Sequence, residues 1–204
     1  MNEENMNVLN ETEPPKKEKK KKGFWGEVID WVVSIGIAFI AVAIINMFFF
    51  VQVMVDGSSM VPTVTDGDRL FASRFMYTPK QGDVVVLEPY LKEGSVKGKL
   101  MFGRTLYIKR VVAVGGQTVE VKNGGVYIDG EKYKEDYLLG NVHTYEGSLK
   151  TPVTIPEGCV FVMGDNREHS KDSRDMSVGI IRNEQIVGKA VLQIYPFAEF
   201  GVVK

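Results

Sequence analysis

One long uncharged apolar stretch stands out in the chain, WVVSIGIAFIAVAIINMFFF at residues 31–50. At about 1.5 Å per residue, a helix of this length spans roughly 30 Å, the thickness of a bilayer core. Soluble core helices seldom run so far without a polar face, and Asn46 is the main polar residue here. Because no polar stripe is present, a helix lying in the membrane plane is disfavoured. The stretch predicts a membrane-spanning helix, within a segment that we place at residues 24–52.

The residues before this stretch are polar and basic. Residues 1–23 are rich in Lys, Glu and Asn, and they contain too few apolar side chains to fold alone, which predicts a disordered tail. The basic run at residues 16–22 indicates a cytoplasmic N-terminus, with everything after the helix outside the cytoplasm. A cleavable signal peptide has a shorter apolar core and a small-x-small site, whereas this run ends in three phenylalanines. We therefore expect an uncleaved, single-pass anchor in the cell membrane.

Composition excludes several classes of function. The chain has 204 residues, of which 44% are apolar and 25% charged, as in an ordinary globular protein. Its net charge of −1 provides no general attraction for nucleic acid, so no nucleic-acid partner is expected. Cys159 is the only cysteine, which excludes an intramolecular disulfide and a cysteine-based metal cluster. We expect a small core residue at this position, and neither a metal nor a cofactor in the protein.

Beyond residue 51 the sequence changes to short β-like runs separated by turn signals. Residues 116–156 contain two turn signals, Asn-Gly-Gly at 123–125 and Asp-Gly at 129–130, which are typical of a β-meander. We predict a mainly β, antiparallel domain at residues 53–115 and 157–204, with residues 116–156 inserted as a small β subdomain. The predicted strands lie at residues 83–87, 106–112, 118–122, 126–128, 159–163 and 188–195.

A glycine-marked turn, DGSSMVPT at residues 56–63, follows the apolar stretch. It presents the hydroxyl of Ser59 on a tightly turned backbone that Pro62 stiffens on the far side. Small polar residues also cluster in ordinary loops for conformational reasons. The local sequence therefore leaves two interpretations open, a structural loop and a nucleophile.

A serine nucleophile needs a base, and the sequence offers few candidates. His143 and His169 lie among polar residues without an apolar setting. A lysine can serve when burial lowers its pKa. Lys109 is the candidate, because Tyr107 and Val111 share its face of the predicted strand. A basic residue in a strand is equally compatible with a solvated edge, so this assignment depends on the partner serine.

A third stretch, GDNREHSKDSR at residues 164–174, is dense in hydrogen-bonding side chains and follows a predicted buried strand. Such a loop can hold a lysine through a hydroxyl group and close itself through paired Asp and Arg side chains. A rigid polar turn is the structural alternative. The spacing of the acidic residues does not match the usual calcium loop.

Taken together, these stretches resemble the bacterial type I signal peptidases, the membrane-anchored Ser/Lys proteases that remove signal peptides from exported proteins. The resemblance is to the short, single-anchor form of Gram-positive type, and it extends from about residue 31 to residue 200. It implies a serine endopeptidase that cleaves preproteins after Ala-x-Ala. Its partners would be signal peptides and the lipid bilayer, with the export translocon nearby. The matching blocks are SMVPT at 59–63, DGD at 66–68, YIKR at 107–110, GDNR at 164–167, Ser170, and DSR at 172–174.

The resemblance also implies a role for individual residues in catalysis. Ser59 would attack the scissile carbonyl, and its backbone N–H would contribute to the oxyanion hole. Lys109 would be the general base, first for Ser59 and later for the deacylating water. Ser170 would hydrogen-bond the Lys109 amine and orient it. Asp172 and Arg174 would form a supporting ion pair.

Substrate recognition follows from the same resemblance. Some family members carry a hydroxyl residue two places before the nucleophile as a second oxyanion donor, and here that position is Gly57. Shallow apolar pockets for small P1 and P3 residues would exclude larger side chains. The residues that correspond to the lining of these pockets are Val55, Met60, Val64 and Ile108.

Two other functions remain compatible with parts of the pattern. Self-cleaving repressor-type peptidases also use a serine and a downstream lysine on a β-scaffold. They are soluble, carry a DNA-binding domain where this chain has its apolar stretch, and lack the third stretch. The other alternative is non-enzymatic, an anchored β-domain that binds envelope partners or an inactive homologue. The presence of Ser59, Lys109 and Ser170 argues against it.

Overall fold

The computed structural model describes residues 23–74, 77–89 and 106–204, with residues 45–48 described by their backbone alone. The predicted disordered tail, residues 1–23, lies outside the described residues except for Gly23. The chain forms two units, Met1–Val42 and Ala43–Lys204.

A single α-helix, α1, covers Phe24–Phe49 in the described part of the chain, which also has short 3₁₀ helices at Asn183–Gln185 and Phe197–Glu199. Its segment Phe24–Ile44 is long and apolar enough to cross a membrane, which agrees with the predicted anchor. Large side chains such as those of Trp31 and Phe39 are exposed, as expected for a helix whose apolar surface meets lipid. The predicted anchor segment extended to residue 52, but residues 50–52 belong to the first strand. Val51 and Val53 alternate toward an apolar core there, which favours strand pairing over another helical turn.

The second unit contains two antiparallel sheets. The large sheet has the order β1-β2-β11-β3-β4-β9-β10, with β12 paired to β11, and the small sheet has the order β7-β6-β5-β8 among the residues described. The strands are β1 (Phe50–Met54), β2 (Arg69–Ser73), β3 (Val84–Leu87), β4 (Tyr107–Val114), β5 (Thr118–Lys122), β6 (Gly125–Ile128), β7 (Glu131–Lys132), β8 (Val153–Thr154), β9 (Cys159–Met163), β10 (Ile181–Arg182), β11 (Ile186–Tyr195) and β12 (Gly201–Val202).

The mainly antiparallel β fold predicted from the sequence is confirmed. The predictions for β5 and β9 coincide with the observed strands, and those for β3, β4, β6 and β11 differ by one or two residues at their ends. The strands that the sequence did not reveal are β1, β2 and the two-residue strands β7, β8, β10 and β12. A two-residue strand carries no periodicity, because alternation needs several residues to be visible.

Two tight turns shape the small sheet. Asn123 and Gly124 join β5 to β6 with φ angles of 51° and 74°, and Asp129 and Gly130 join β6 to β7 with 52° and 88°. Paired residues with positive φ form hairpin turns whose twist matches the flanking strands, and Asn-Gly and Asp-Gly adopt them most readily. These are the positions of the predicted meander turns.

The small sheet packs against the large one. One cluster of buried side chains joins Val119, Val121 and Val126 from the small sheet to Val112 and Phe161 from the large sheet. The strands of the small sheet lie between residues 118 and 154, inside the segment 116–156 that the sequence assigns to an inserted subdomain. The exact limits of that subdomain stay a prediction.

A second cluster of buried side chains lies under the glycine-marked turn. Leu70 and Ala72 of β2 pack there with Val53 of β1 and with Met60 from the turn itself. The turn is therefore supported from below by apolar packing, and it is not a free surface loop.

Replacing Leu70 by Ala should destabilise the second unit, because Leu70 is 0% exposed in this cluster. A Leu-to-Ala change in a packed core costs about 2–5 kcal/mol in free energy of unfolding, through lost burial and the cavity left behind. Chemical denaturation of the purified full-length protein measures this loss. The control is Leu139→Ala, whose side chain is 72% exposed and whose replacement should change little. Equal stability of the two variants would contradict this account of the core.

Candidate active site

The glycine-marked turn between β1 and β2 is held by its own backbone and by two acidic residues. Gly57 has a φ angle of 94°, and its N–H donates to Asp66 Oδ1 at 2.8 Å. Asp68 is buried and accepts from the backbone N–H of Thr65 at 2.7 Å. The segment after the turn thus folds back on it and fixes the backbone that carries Ser59.

The structure brings Lys109 and Ser59 together across this turn. Lys109 lies in β4, is 4% exposed, and donates from Nζ to Ser59 Oγ at 2.8 Å. The same amine donates to the carbonyl oxygen of Ile108 at 2.9 Å. The ring of Tyr107 lies 5.1 Å from the amine, as expected from the shared strand face. The two residues chosen from the sequence are therefore hydrogen-bonded to each other.

Burial lowers the pKa of Lys109 from its ordinary value of 10.5 to about 8. Removing the ammonium from water disfavours its charged form, and this effect outweighs the negative charges of Asp172 and Asp165, which act in the opposite direction. A sizeable fraction of the amine is therefore neutral near physiological pH. A neutral amine has a lone pair and can accept the proton of a neighbouring hydroxyl.

Ser170 lies beside the nucleophile but does not make the hydrogen bond to Lys109 that the resemblance implies. Its Oγ is buried without a hydrogen-bond partner, and the amine donates to Ser59 and Ile108 instead. The loop reaches the turn through Gly164. A Cβ placed there would lie 2.2 Å from Ser170 Oγ and 2.4 Å from the Ser59 carbonyl oxygen, so only a glycine permits this approach.

The ion pair expected between Asp172 and Arg174 is present. Arg174 Nε lies 2.8 Å from Asp172 Oδ1, and Arg174 Nη2 donates to Asp172 Oδ2 at 2.9 Å, a two-point contact between buried groups. Asp172 Oδ2 also accepts from the backbone N–H of Gly164 at 3.0 Å. The pair therefore fixes the start of the loop as well as its end.

A second buried ion pair was not assigned a function from the sequence. Arg110 donates to Asp165 from Nε at 2.9 Å and from Nη2 at 2.6 Å, and Thr63 donates its hydroxyl to the same carboxylate. Lys109 and Arg110 are neighbours in β4, so their side chains point to opposite faces. The sequence did contain one signal for this ion pair, a charged residue inside a strand whose neighbours are predicted to be buried. A charge in such a place needs a partner of opposite charge.

A cleft of about 660 Å³ opens at the Ser59 hydroxyl and the Lys109 amine. Val55, Met60 and Ile108 line it, as the resemblance implies. Val64 does not. It is 1% exposed and packs inside the apolar cluster beneath the turn, so it supports the cleft from behind. The other residues around the cleft are Gln52, Val53, Met54, Asp56, Val86, Leu106, Tyr107 and Lys171.

Metal ligation is not offered by this site. Within residues 23–74, 77–89 and 106–204, no group of three or more His, Cys, Asp or Glu side chains is placed to hold a metal ion.

Comparison with known proteins shows the family of this chain. Residues 28–195 match the family described as "Signal peptidase, peptidase S26". Signal peptidase I P of Bacillus subtilis subsp. natto is 37% identical over 189 residues, which cover 88% of this chain and 94% of that protein. Signal peptidase IB of Staphylococcus aureus (strain COL) is 34% identical over 191 residues, covering 85% and 93%.

A crystal structure of a signal peptidase I from Enterococcus faecalis V583 is 26% identical, with a TM-score of 0.42 over 56% of this chain and 98% of that chain. The family match covers most of the present sequence, and the two relatives above exceed 30% identity along nearly their whole length. This chain therefore belongs to the signal peptidase family, peptidase S26.

Proposed function

We propose that this protein is a membrane-anchored serine endopeptidase that cleaves signal peptides from exported preproteins, with Ser59 as nucleophile and neutral Lys109 as general base. The observation that carries the proposal is the 2.8 Å hydrogen bond between Lys109 Nζ and Ser59 Oγ, in a setting where burial lowers the pKa of the lysine to about 8. A hydroxyl becomes an effective nucleophile when such a base takes its proton during attack.

The proposed reaction uses the amine twice. Ser59 Oγ forms a bond to the scissile carbonyl carbon while its proton moves to Lys109 Nζ. Collapse of the tetrahedral intermediate breaks the C–N bond, and Lys109 gives the proton to the leaving amine of the mature protein. Lys109 then takes a proton from a water molecule as that water attacks the carbonyl carbon of the acyl-enzyme ester. When the ester C–O bond breaks, Lys109 returns the proton to Ser59 Oγ, and the signal peptide leaves with a carboxyl group at its new C-terminus.

Backbone geometry suggests where the oxyanion is stabilised. The N–H of Ser59 has no acceptor among the described residues and is available to the developing negative charge. The N–H of Gly57, two residues earlier, is already used by Asp66. We therefore assign the oxyanion role to Ser59 and not to Gly57.

The cleft favours substrates with small residues beside the scissile bond. In its apolar walls Val55 and Met60 are buried and Ile108 is half-buried, and we infer from this that the space beside Ser59 is shallow. A shallow apolar pocket selects by steric exclusion, which accounts for a requirement such as Ala-x-Ala.

In this proposal the helix α1 holds the enzyme at the membrane. A signal peptide is itself an apolar membrane segment, with its cleavage site close to the bilayer surface. Anchoring both molecules in one bilayer raises their effective concentration relative to free diffusion. In this proposal the basic side of α1 is cytoplasmic, the β unit lies outside, and lipid and the nearby translocon are the working surroundings.

Ser59→Ala and Lys109→Ala should each abolish cleavage of a preprotein whose signal peptide ends in Ala-x-Ala. Each change removes a group that takes part in bond making, so we expect losses of at least about 1,000-fold in kcat. Product sizes after incubation with purified full-length protein in detergent give the measurement. The matched control is Ser58→Ala, because its exposed hydroxyl is adjacent to Ser59. Undiminished cleavage by Ser59→Ala would exclude the mechanism, and an inactive wild type would favour a binding module.

The dependence of kcat/KM on pH should follow the titration of Lys109. Because the amine must be neutral to act as a base, the rate should rise with pH through about 8 and level off above it. At pH 6 the neutral fraction is about 100-fold smaller than on the plateau, and the rate should fall by that factor. Lys134→Ala, a change at an exposed lysine, should leave the profile unaltered. A flat profile from pH 6 to pH 10 would argue against Lys109 as the base.

Substrate size should matter at the residue before the scissile bond. Replacing Ala by Leu at this position of the preprotein should reduce kcat/KM by at least about 10-fold, because the longer side chain does not fit the shallow cleft. Cleavage assays with the paired preproteins measure the ratio. Leu placed at the intervening x position serves as the control, and equal rates for all three substrates would contradict the steric account.

A further inference from the structure

A fully buried arginine links the polar loop (Gly164–Arg174) to the inserted segment of the chain. The Arg167 side chain is 0% exposed, and its Nη1 donates to Glu135 Oε2 at 3.0 Å and to Thr144 Oγ1 at 2.7 Å. Its Nη2 donates to Glu135 Oε1 and to Tyr137 Oη at 3.1 Å. Its Nε donates to the carbonyl oxygen of Gly164 at 3.1 Å. One guanidinium therefore joins three side chains of the inserted segment to the backbone of the loop.

On the loop side, the residues around Arg167 hold the backbone of the nucleophile. The N–H of Asn166 donates to the Ser59 carbonyl oxygen at 3.0 Å, and its Nδ2 donates to the Ser58 carbonyl oxygen at 3.1 Å. Gly164 lies against the same Ser59 carbonyl. A shift of Arg167 would therefore be passed directly to the residue that carries the attacking hydroxyl.

On the opposite side, the partners of Arg167 are themselves fixed. Tyr137 donates its hydroxyl to Glu135 Oε1 at 2.8 Å, and the Arg110 guanidinium lies 4.1 Å from the centre of the Tyr137 ring. Burial, reinforced by Glu135, raises the pKa of Tyr137, so its hydroxyl keeps its proton and can donate. The side chain of Glu135 is only 10% exposed, and Arg167 and Tyr137 supply its hydrogen bonds in place of water.

We propose that Glu135 and Arg167 are positioning residues, through which the inserted segment holds the polar loop and the Ser59 backbone in register with Lys109. Removing one partner leaves the other charge buried and uncompensated, so the loop must shift to bring it to water. A displacement of the reacting atoms by about 1 Å can reduce the rate about 100-fold. The inference rests on the proposed function, because it assumes that Ser59 is the nucleophile.

This arrangement predicts an effect on the chemical step and not on substrate binding. The apolar walls of the cleft come from Val55, Met60 and Ile108, which lie outside the polar loop. They do not contact Arg167 through any of its hydrogen bonds. A displaced loop therefore changes how Ser59 meets Lys109, whereas the apolar walls keep the support of the cluster beneath the turn; the loop itself contributes only the polar Lys171 to the cleft lining.

The test compares Glu135→Gln with Asp136→Asn in the full-length protein, using an Ala-x-Ala preprotein and active wild type as reference. Both changes remove one carboxylate charge from adjacent residues, but Asp136 is 74% exposed and forms its ion pair with the exposed Lys134. Glu135→Gln should lower kcat about 100-fold with KM within about twofold, whereas Asp136→Asn should match wild type. Arg167→Lys should cause a similar loss, and the double variant should lose little more than either single variant.

Thermal unfolding shows whether each variant is folded at the assay temperature. If Glu135→Gln does not fold, Tyr137→Phe decides the question, because it keeps the ring and removes only the hydroxyl between Glu135 and Arg167. We expect a smaller fall in kcat for this variant, again at unchanged KM. Unchanged kcat in the folded variants, a loss confined to KM, or an equal loss in Asp136→Asn would overturn the inference. None of these outcomes affects the assignment of Ser59 and Lys109, since wild-type cleavage is measured in the same experiment.

Discussion

The site depends on a lysine that is kept from water while it touches a hydroxyl. Burial alone lowers the pKa of Lys109, and two nearby carboxylates, Asp172 and Asp165, oppose that effect. Each carboxylate is paired with its own arginine, Asp172 with Arg174 and Asp165 with Arg110. The positive charge of each arginine lies next to its carboxylate and opposes the field of that carboxylate at the amine. The two ion pairs thus have an electrostatic consequence for the amine as well as a structural role in the loop.

The same groups join separate parts of the chain around the nucleophile. Thr63 comes from the end of the turn, Arg110 from the middle of β4, and Asp165 from the loop after β9, yet they form one hydrogen-bonded unit. Beneath the turn, Met60 and Leu70 supply apolar support. The hydrogen bonds fix the orientation of the turn and the apolar packing stabilises it. Both therefore hold the Ser59 hydroxyl in position.

Much of this arrangement was visible in the sequence, for identifiable reasons. Three local patterns predicted their structural elements nearly within the observed limits. They are the apolar stretch of α1, the alternation in β5 and the Asn123-Gly124 turn. Ser59 and Lys109 emerged because a serine needs a base and few candidates existed. Glu135 carried no local signal, since its partner Arg167 is 32 residues away and surface glutamates look the same in a sequence. Val64 was assigned to the cleft by the resemblance alone, which does not reveal which side chains face inward here, and the Ser170 hydrogen bond depends on side-chain geometry that no sequence pattern encodes.

The adjacency of Lys109 and Arg110 in β4 makes strand pairing part of the chemistry. In the observed alignment Lys109 is opposite Val85 and Arg110 is opposite Val84. A slip of β4 by one position would exchange their faces, because neighbouring side chains in a strand alternate. In the direction that brings Arg110 opposite Val85, the guanidinium, which stays charged at every physiological pH, would occupy the place of the base, and Val111 would replace it beside Asp165. Such a misaligned molecule would keep its sheet and its composition but would have no group beside Ser59 able to take up a proton. The correct strand register is therefore required for catalysis as well as for the fold.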